Sequence, residues 1–362
     1  MPDLAYDAAI ISEGNKGLFL TMQQMKYGGM NAAYLSGGTR WAGSLSRTEG
    51  VMHHDSAKEL YDFYPPANKN DFFAAYLYLR YPEHFIYHAS LATGVPAQEP
   101  AEKVDEAMTQ MMTAYIRQFA ETVPSAETSI QHGKVLKMRD ALKIVTQKAA
   151  LRLHPSERVV PFKIAREVIL ENPGAIALGT CACRAVQQNP CLPAPQEVCL
   201  IMGDPFAAFI ADHNLKFRRT SQEEAVNVIE QAHKRGEVQC AYFKKETGNR
   251  LVEICNCCAC CCMGMRVWNL FGGTIPILAP SGYVSQVNDE CDGCGVCAEK
   301  TCPFNAITLD AQRKKAVVDQ SKCMGCGVCE DKCPIQAISL RREPAKGEPL
   351  DVDELKAEDH VG

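Results

Sequence analysis

Residues 291–309, CDGCGVCAEKTCPFNAITL, and residues 323–340, CMGCGVCEDKCPIQAISL, are two copies of one pattern. Each copy sets three cysteines at two-residue gaps and follows them with a fourth that precedes proline. A cubane iron–sulfur cluster needs four thiolates at the corners of a tetrahedron. A tight C-x-x-C-x-x-C loop supplies three, and a more distant cysteine closes the site. The two runs offer eight such thiolates, Cys291, Cys294, Cys297 and Cys302, then Cys323, Cys326, Cys329 and Cys333, enough for two [4Fe–4S] clusters. Glycines flank the second cysteine of each run (Gly293 and Gly295, Gly325 and Gly327), where they let the backbone wrap closely and aim N–H groups at sulfur. Pro303 and Pro334 turn the chain away, and AITL and AISL read as short strands. A structural zinc site, the alternative, uses paired C-x-x-C knuckles. Two complete runs with Cys-Pro endings argue against it. The first copy has one extra residue, within Ala298-Glu299-Lys300-Thr301, which is expected to bulge out without removing Cys302.

Upstream lies a second set of cysteines with no such regularity. Residues 181–199, CACRAVQQNPCLPAPQEVC, contain Cys181, Cys183, Cys191 and Cys199. Residues 255–262, CNCCACCC, contain Cys255, Cys257, Cys258, Cys260, Cys261 and Cys262. Thiols so crowded oxidise or scavenge metal unless they are already ligated. Adjacent cysteines point in different directions, so one cluster does not use them all. This set predicts one or two further Fe–S centres, and a compact site drawing ligands from both stretches fits best. A zinc thiolate site and a redox-active disulfide are the alternatives. Arg184 either brings positive charge to such a centre or faces solvent. Cys240 stands apart and reads as a small buried hydrophobe.

The chain has 362 residues, 46% of them hydrophobic, with a net charge of −5. It therefore has material for two or three domains and no basic block to bind nucleic acid. None of the 19 cysteines precedes Cys181. The first residues, MPDLAYDAAIISEGNK, show no secretory signal pattern. A cytoplasmic location, with the thiols reduced and used as ligands rather than as a disulfide framework, is expected. Val267 to Asn288 is free of charge, but its glycines and prolines read as a buried connector, and no membrane span is expected.

An α+β organisation follows. Residues 1–155 read as a helical domain. An aromatic-rich helix ends at Tyr81 before Pro82. A second helix carries Met108, Met111, Met112, Tyr115 and Phe119 on one face, and a third carries Val135, Met138, Leu142, Val145 and Ala149. These stripes read as core, and the paired His53 and His54 as solvated. Residues 156–280 read as a mixed, Cys-rich central domain. It is expected to contain a helix over 161–171, a buried strand AIALG, a helix opened by a Ser221/Glu224 capping box and closed by Gly236, and a hairpin about Thr247-Gly248-Asn249. Residues 281–342 form the repeat module, and 343–362 a charged, flexible tail. No dinucleotide fingerprint, P-loop, Ser-His-Asp or HExxH pattern is present.

The repeat resembles two-cluster bacterial ferredoxins. In those, the fourth cysteine of each run serves the other cluster. The resemblance implies one cluster on Cys291, Cys294, Cys297 and Cys333, and another on Cys323, Cys326, Cys329 and Cys302. A longer span, from VVPFKIAREVI through IALGTCACR, Cys191, Glu197-Val198-Cys199, TSQEEA and ICNCCACCC into the repeat, looks like the 4Fe–4S dicluster ferredoxin-type proteins of anaerobic microbes. That covers about the last 200 residues and implies oxygen-sensitive, low-potential electron transfer without naming a substrate.

Three functions remain open at this point. The first is an electron-transfer protein or subunit between a soluble donor and a partner oxidoreductase, with redox proteins as partners and a larger complex as its setting. The second is a reductase whose own active site, in the central or N-terminal domain, is fed by the ferredoxin module. The third is a metal or Fe–S cluster carrier. Missing cofactor fingerprints favour the first; the large N-terminal region favours the second.

Overall fold

The computed structural model describes residues 56–359 except 66–68, 105, 107–108, 111, 115, 118–130, 163–165, 189, 191–195, 275–276 and 300. The helices are α1 (Ser56–Phe63), α2 (Lys69–Arg80), α3 (Pro82–Thr93), α4 (Met138–Val145), α5 (Ala182–Ala185), α6 (Phe206–His213), α7 (Gln222–Arg235), α8 (Met263–Phe271), α9 (Val328–Lys332) and α10 (Val352–Asp359). The strands are β1 (Gln131–Val135), β2 (Leu151–Leu153), β3 (Val168–Leu170), β4 (Ile176–Thr180), β5 (Glu197–Met202), β6 (Phe217–Thr220), β7 (Val238–Lys244), β8 (Arg250–Cys257), β9 (Leu278–Ala279), β10 (Tyr283–Val287), β11 (Ile307–Asp310), β12 (Lys315–Val318) and β13 (Ile338–Arg342). Helices and mixed sheets together make the architecture α+β. None of the described helices is long and apolar enough to cross a membrane.

Helix α2 ends at Arg80, because Pro82 disfavours helical backbone at Tyr81, and the same proline then opens α3. Aromatic rings lock these helices, with Tyr61 edge-on to Phe72 and Tyr78 edge-on to Phe85. From the second expected helix, Met112 is buried. Met108, Met111, Tyr115 and Phe119 fall outside the described residues, as do His53 and His54.

Seven strands form the central sheet in the order β6-β4-β5-β8-β7-β1-β9. Strict alternation divides its two faces. Ala177, Cys199, Ile201, Cys240 and Tyr242 point to one side, into the core that α1, α2, α3 and α6 close. Leu178, Leu200, Ala241, Phe243 and Ile254 point to the other, under α4 and α7. The β7–β8 hairpin turns at Gly248 and Asn249, both with positive φ, as expected. A register shift at Tyr242/Phe243 inserts one extra residue in β8 and so sets Glu253, Cys255 and Cys257 toward the first core.

Three expectations are corrected. The third helix begins only at Met138, and Val135 belongs to β1, which pairs with β7 from Gln131 to Val135. The sheet thus reaches back across the expected boundary near residue 155. The expected helix over 161–171 is not seen in its described part; Val168–Leu170 is a strand paired with β2, in keeping with the β-branched Val168 and Ile169. The charged tail packs on the protein. Leu350 and Val352 are buried, and the carboxylate of Asp351 accepts two 2.7 Å bonds from Lys143 of α4.

The repeat folds into two small antiparallel pairs, β10–β13 and β11–β12. AITL lies on β11 and AISL on β13.

Candidate functional site

In the repeat, each cysteine run forms a loop around a small cavity. Cys323, Cys326 and Cys329 surround one of about 290 Å³ together with Cys302. Cys291, Cys294 and Cys297 surround another of about 300 Å³ together with Cys333. The donor set suits cubane ligation, with four thiols converging on each space and backbone N–H groups aimed at sulfur. Ala306 donates to Cys302 Sγ at 3.3 Å, Ala337 to Cys333 Sγ at 3.2 Å, and Ser285 to Cys323 Sγ at 3.4 Å. These donors follow the Cys-Pro turns or come from β10; the flanking glycines serve close approach instead. A Cβ on Gly325 would lie 2.2 Å from the Tyr283 carbonyl oxygen, and one on Gly293 would lie 2.3 Å from that of Lys314. Both glycines also have positive φ. The extra residue of the first copy leaves Cys302 on its cavity; Thr301 Oγ1 ties the loop to the Val296 carbonyl at 2.6 Å.

The two cavities differ in access. Cys294 is exposed, beside the exposed Val296 and Ile335. Cys323, Cys326 and Cys329 are buried, and burial pushes the Cys326 thiol well up. Met324, Cys326 and Val328 belong to the same apolar core as Cys199, Cys257 and Cys262. Polar contacts fasten this side. His233 of α7 meets Asp331 at 2.5 Å, Asn269 of α8 donates to the Pro303 carbonyl at 3.4 Å, and Ser281 Oγ donates to the Gly325 carbonyl at 2.7 Å.

Cys181, Cys183, Cys199, Cys255, Cys257, Cys258 and Cys262 converge on one cavity of about 650 Å³, counting its solvent-open mouth, while Cys260 and Cys261 do not line it. Strand β4 delivers the chain to Cys181, and the single turn α5 carries Cys183. Strand β5 supplies Cys199, directly opposite Cys255 in the sheet register. Strand β8 supplies Cys255 and Cys257, and Cys262 stands at the N-terminus of α8. Apolar Ile86, Ile201, Ile210 and Phe217 line the rest.

Thiol contacts sort these residues into three groups. Cys183 bonds Cys181 and Cys262, and Cys262 in turn bonds Cys257. Those bonds, with help from Tyr242, hold the Cys262 thiol well below its ordinary range, whereas its donor Cys183 is pushed up. A second group joins Cys258, Cys260 and Cys261, whose sulfurs lie within 4.8 Å of one another, although Cys260 is disulfide-bonded and not a free thiol. The bond from Cys261, aided by the charge of Arg184, brings the Cys258 thiol down to about 7. The third group is Cys199, Cys255 and Glu253, joined to the first through a bond between Cys255 and Cys257. Cys240, fully buried on β7, touches Cys257. Cys191 lies outside the described residues.

Several partners of this site gave no signal in the sequence. Tyr78, on α2 of the N-terminal region, donates to Glu253 Oε2 at 2.6 Å. Lys244 stands 3.5 Å from the same carboxylate and 3.3 Å above the Tyr78 ring. The aromatic stripe that reads as core thus also reaches the cysteines. Arg184 is turned inward. It pairs with the fully buried Glu237 at 2.6 Å and donates to the Asn256 carbonyl at 3.1 Å.

A family profile described as a 4Fe-4S dicluster domain matches residues 290–337. No curated protein and no solved structure matches the chain. The chain therefore carries a ferredoxin-type 4Fe–4S domain, the equipment of an iron–sulfur electron-transfer protein.

Proposed function

We propose that the protein passes electrons between a redox partner at its surface and the central cysteine cavity. Two [4Fe–4S] clusters are held in the repeat, on Cys291, Cys294, Cys297 and Cys333 and on Cys323, Cys326, Cys329 and Cys302. A further Fe–S centre is held by Cys181, Cys183, Cys257 and Cys262. Such clusters supply one-electron storage at low potential when bound. The residues set the polarity. The exposed Cys294, with Val296 and Ile335 around it, offers the face for a soluble donor or acceptor. The buried Cys326 side belongs to the same apolar core as the central thiols. That shared core, joining one cysteine loop of the repeat to the central cavity, is the observation that carries the reading, because electron transfer needs the two sites close and fixed. A cytoplasmic setting and a partner oxidoreductase in anaerobic metabolism belong to the same proposal.

The protein purified without oxygen tests it. About 12 iron atoms per chain are expected, about 8 of them in the repeat. Dithionite titration followed by EPR should show a central signal that reduces and reoxidises without iron loss and broadens through magnetic interaction with a repeat cluster. Iron near 8 per chain, or removal of central iron by a mild chelator, would sink the relay and favour the carrier. The cavity itself supports a second reading, a reductase: it is open to solvent and lined by both thiols and apolar side chains. Substrate-dependent oxidation of the reduced protein would select it.

A further inference from the structure

Among the central cysteines, one pair shares a carboxylate. Cys199 and Cys255 face each other across the β5–β8 ladder, so the sheet register fixes their separation. Of the thiols assigned to the further Fe–S centre, Cys181, Cys183 and Cys262 sit on a loop, a single turn and a helix end, where the backbone can spread them, while Cys257 lies on β8. Between Cys199 and Cys255 stands a carboxylate. Each thiol donates to Glu253 Oε1 at 2.9 Å, and all three ligand atoms lie within 4.8 Å of one another.

We propose that Cys199, Cys255 and Glu253 hold a single zinc-type divalent ion, separate from the iron–sulfur centres, with its fourth position open to the cavity. Geometry, donor type and charge each support this. A cubane seats its four thiolates on four different irons, farther apart than the ligands of one ion. With a Zn–S bond near 2.3 Å, two thiolates on one tetrahedral ion lie roughly 3.8 Å apart, within the spacing found here. Two thiolates and one carboxylate are a donor set for such an ion, whereas a carboxylate is a poor member of an all-thiolate cluster. Charge then balances. The ion replaces the two thiol protons that now rest on Oε1. Two thiolates and a carboxylate carry three negative charges, against two on the ion and one on Lys244, 3.5 Å from Glu253. Tyr78 holds the other carboxylate oxygen at 2.6 Å, the outer contact that fixes a metal ligand's orientation.

The site does not depend on the relay, and the test keeps them apart. Iron and zinc are measured in the anaerobically purified full chain and in the variants Cys199→Ser, Glu253→Gln and Cys261→Ser. One zinc per chain is expected in the parent. Cys199→Ser should lose it and Glu253→Gln should weaken it at least tenfold against a chelator. Both should keep the parent's iron content and its central EPR signal, which also reports that the variants fold. Cys261→Ser should keep the zinc. X-ray absorption at the zinc edge should show about two sulfur scatterers with the remainder oxygen or nitrogen. Loss of about 4 iron atoms in Cys199→Ser would make Cys199 a cluster ligand and overturn the proposal while leaving the relay intact. A parent without zinc would overturn it as well. A missing central EPR signal with zinc retained would instead defeat the relay alone.

Discussion

The repeat module and the central sheet both gather thiols, but they hold themselves together by different means. The repeat has few buried apolar side chains of its own. Its inner cluster, around Ile307, Ala316 and Ile338, is completed by Cys297 and Cys329. The central sheet has a continuous apolar layer on each face, and its cysteines lie on one face, on the middle strands β5, β8 and β7 and the turns after β4 and β8. In the repeat, cluster ligation would therefore supply the fold, whereas in the central region the fold itself brings the cysteines together. A motif of ligands is legible in the first case because spacing must satisfy the cluster before anything else does. In the second, the ligands come from wherever the sheet brings them.

The largest expected effect breaks that comparison if it fails. Cys326→Ala should remove one repeat cluster and, with it, most of the order of residues 285–340, because ligation supplies folding energy that a core this small lacks. Limited proteolysis should cut within the repeat while the helices over 56–93 and the sheet stay protected. Uniform protease resistance of the variant would show that the repeat folds on its own.

Next in size is a change inside the central region that replaces no thiol. Arg184→Ala leaves the Glu237 carboxylate, which is fully buried, with Arg235 alone at 2.7 Å. Breaking a buried pair by removing one partner costs about 3 kcal/mol or more. Anaerobic urea unfolding should show that loss across the whole sheet transition. A loss below about 0.5 kcal/mol, the scale of an exposed pair, would mean that the sheet does not rely on this pair.

How much of this was legible follows from the same contrast. The strands after Pro303 and Pro334, the β7–β8 hairpin and the stop at Tyr81 all rest on local rules, and the chain obeys them. The helix expected over 161–171 does not form, because Val168–Leu170 gains a partner in β2 that no local pattern announces. The same holds for Val135, whose apolar spacing fits a helix face yet whose backbone pairs with Cys240. Arg184 could not be placed from sequence, since its partner Glu237 lies 53 residues away. Tyr78 and Glu253 were invisible as site residues because 175 residues separate them. Thiol crowding marked the central site, but the pairing of Cys199 with Cys255 is a property of sheet register.

A third expectation concerns pH and sharpens how the tail joins the sheet side. Burial, followed by the charge of Asp351, pushes Asp140 up to about 6. Its carboxyl holds a proton in the folded protein that the unfolded chain, near 3.8, releases. The folded state thus binds more protons between about pH 4 and 6, and stability from this residue falls as pH rises through that window. The difference is of order 1–2 kcal/mol once solvent screening is allowed for. Asp140→Asn should remove that slope and be the more stable protein at pH 7, read by urea unfolding across pH. A parallel pair of curves would rule out Asp140 as the source.

The smallest effect tests whether α7 acts as a strut between the two regions. Its N-terminus is capped by Ser221, whose Oγ accepts from the Glu224 N–H at 3.1 Å. The reciprocal half of the expected capping box is not made. The Glu224 carboxylate instead accepts from Arg218 and Thr220, and those bonds lower it to about 2. Removing the hydroxyl thus loses one bond, and Ser221→Ala should cost about 1 kcal/mol. The other end of the helix holds the repeat through His233 and Asp331. If α7 is rigid along its 14 residues, fraying at Ser221 stays local and the magnetic interaction between central and repeat centres is unchanged. Asp331→Asn, at the far end, should cost little in global stability, since Asp331 is more than half exposed. It should, however, weaken the interaction signal by freeing the repeat from the sheet. Loss of that signal in Ser221→Ala but not in Asp331→Asn would reverse the assignment. The core around Met324 and Val328, rather than the His233 contact, would then be what fixes the two regions together.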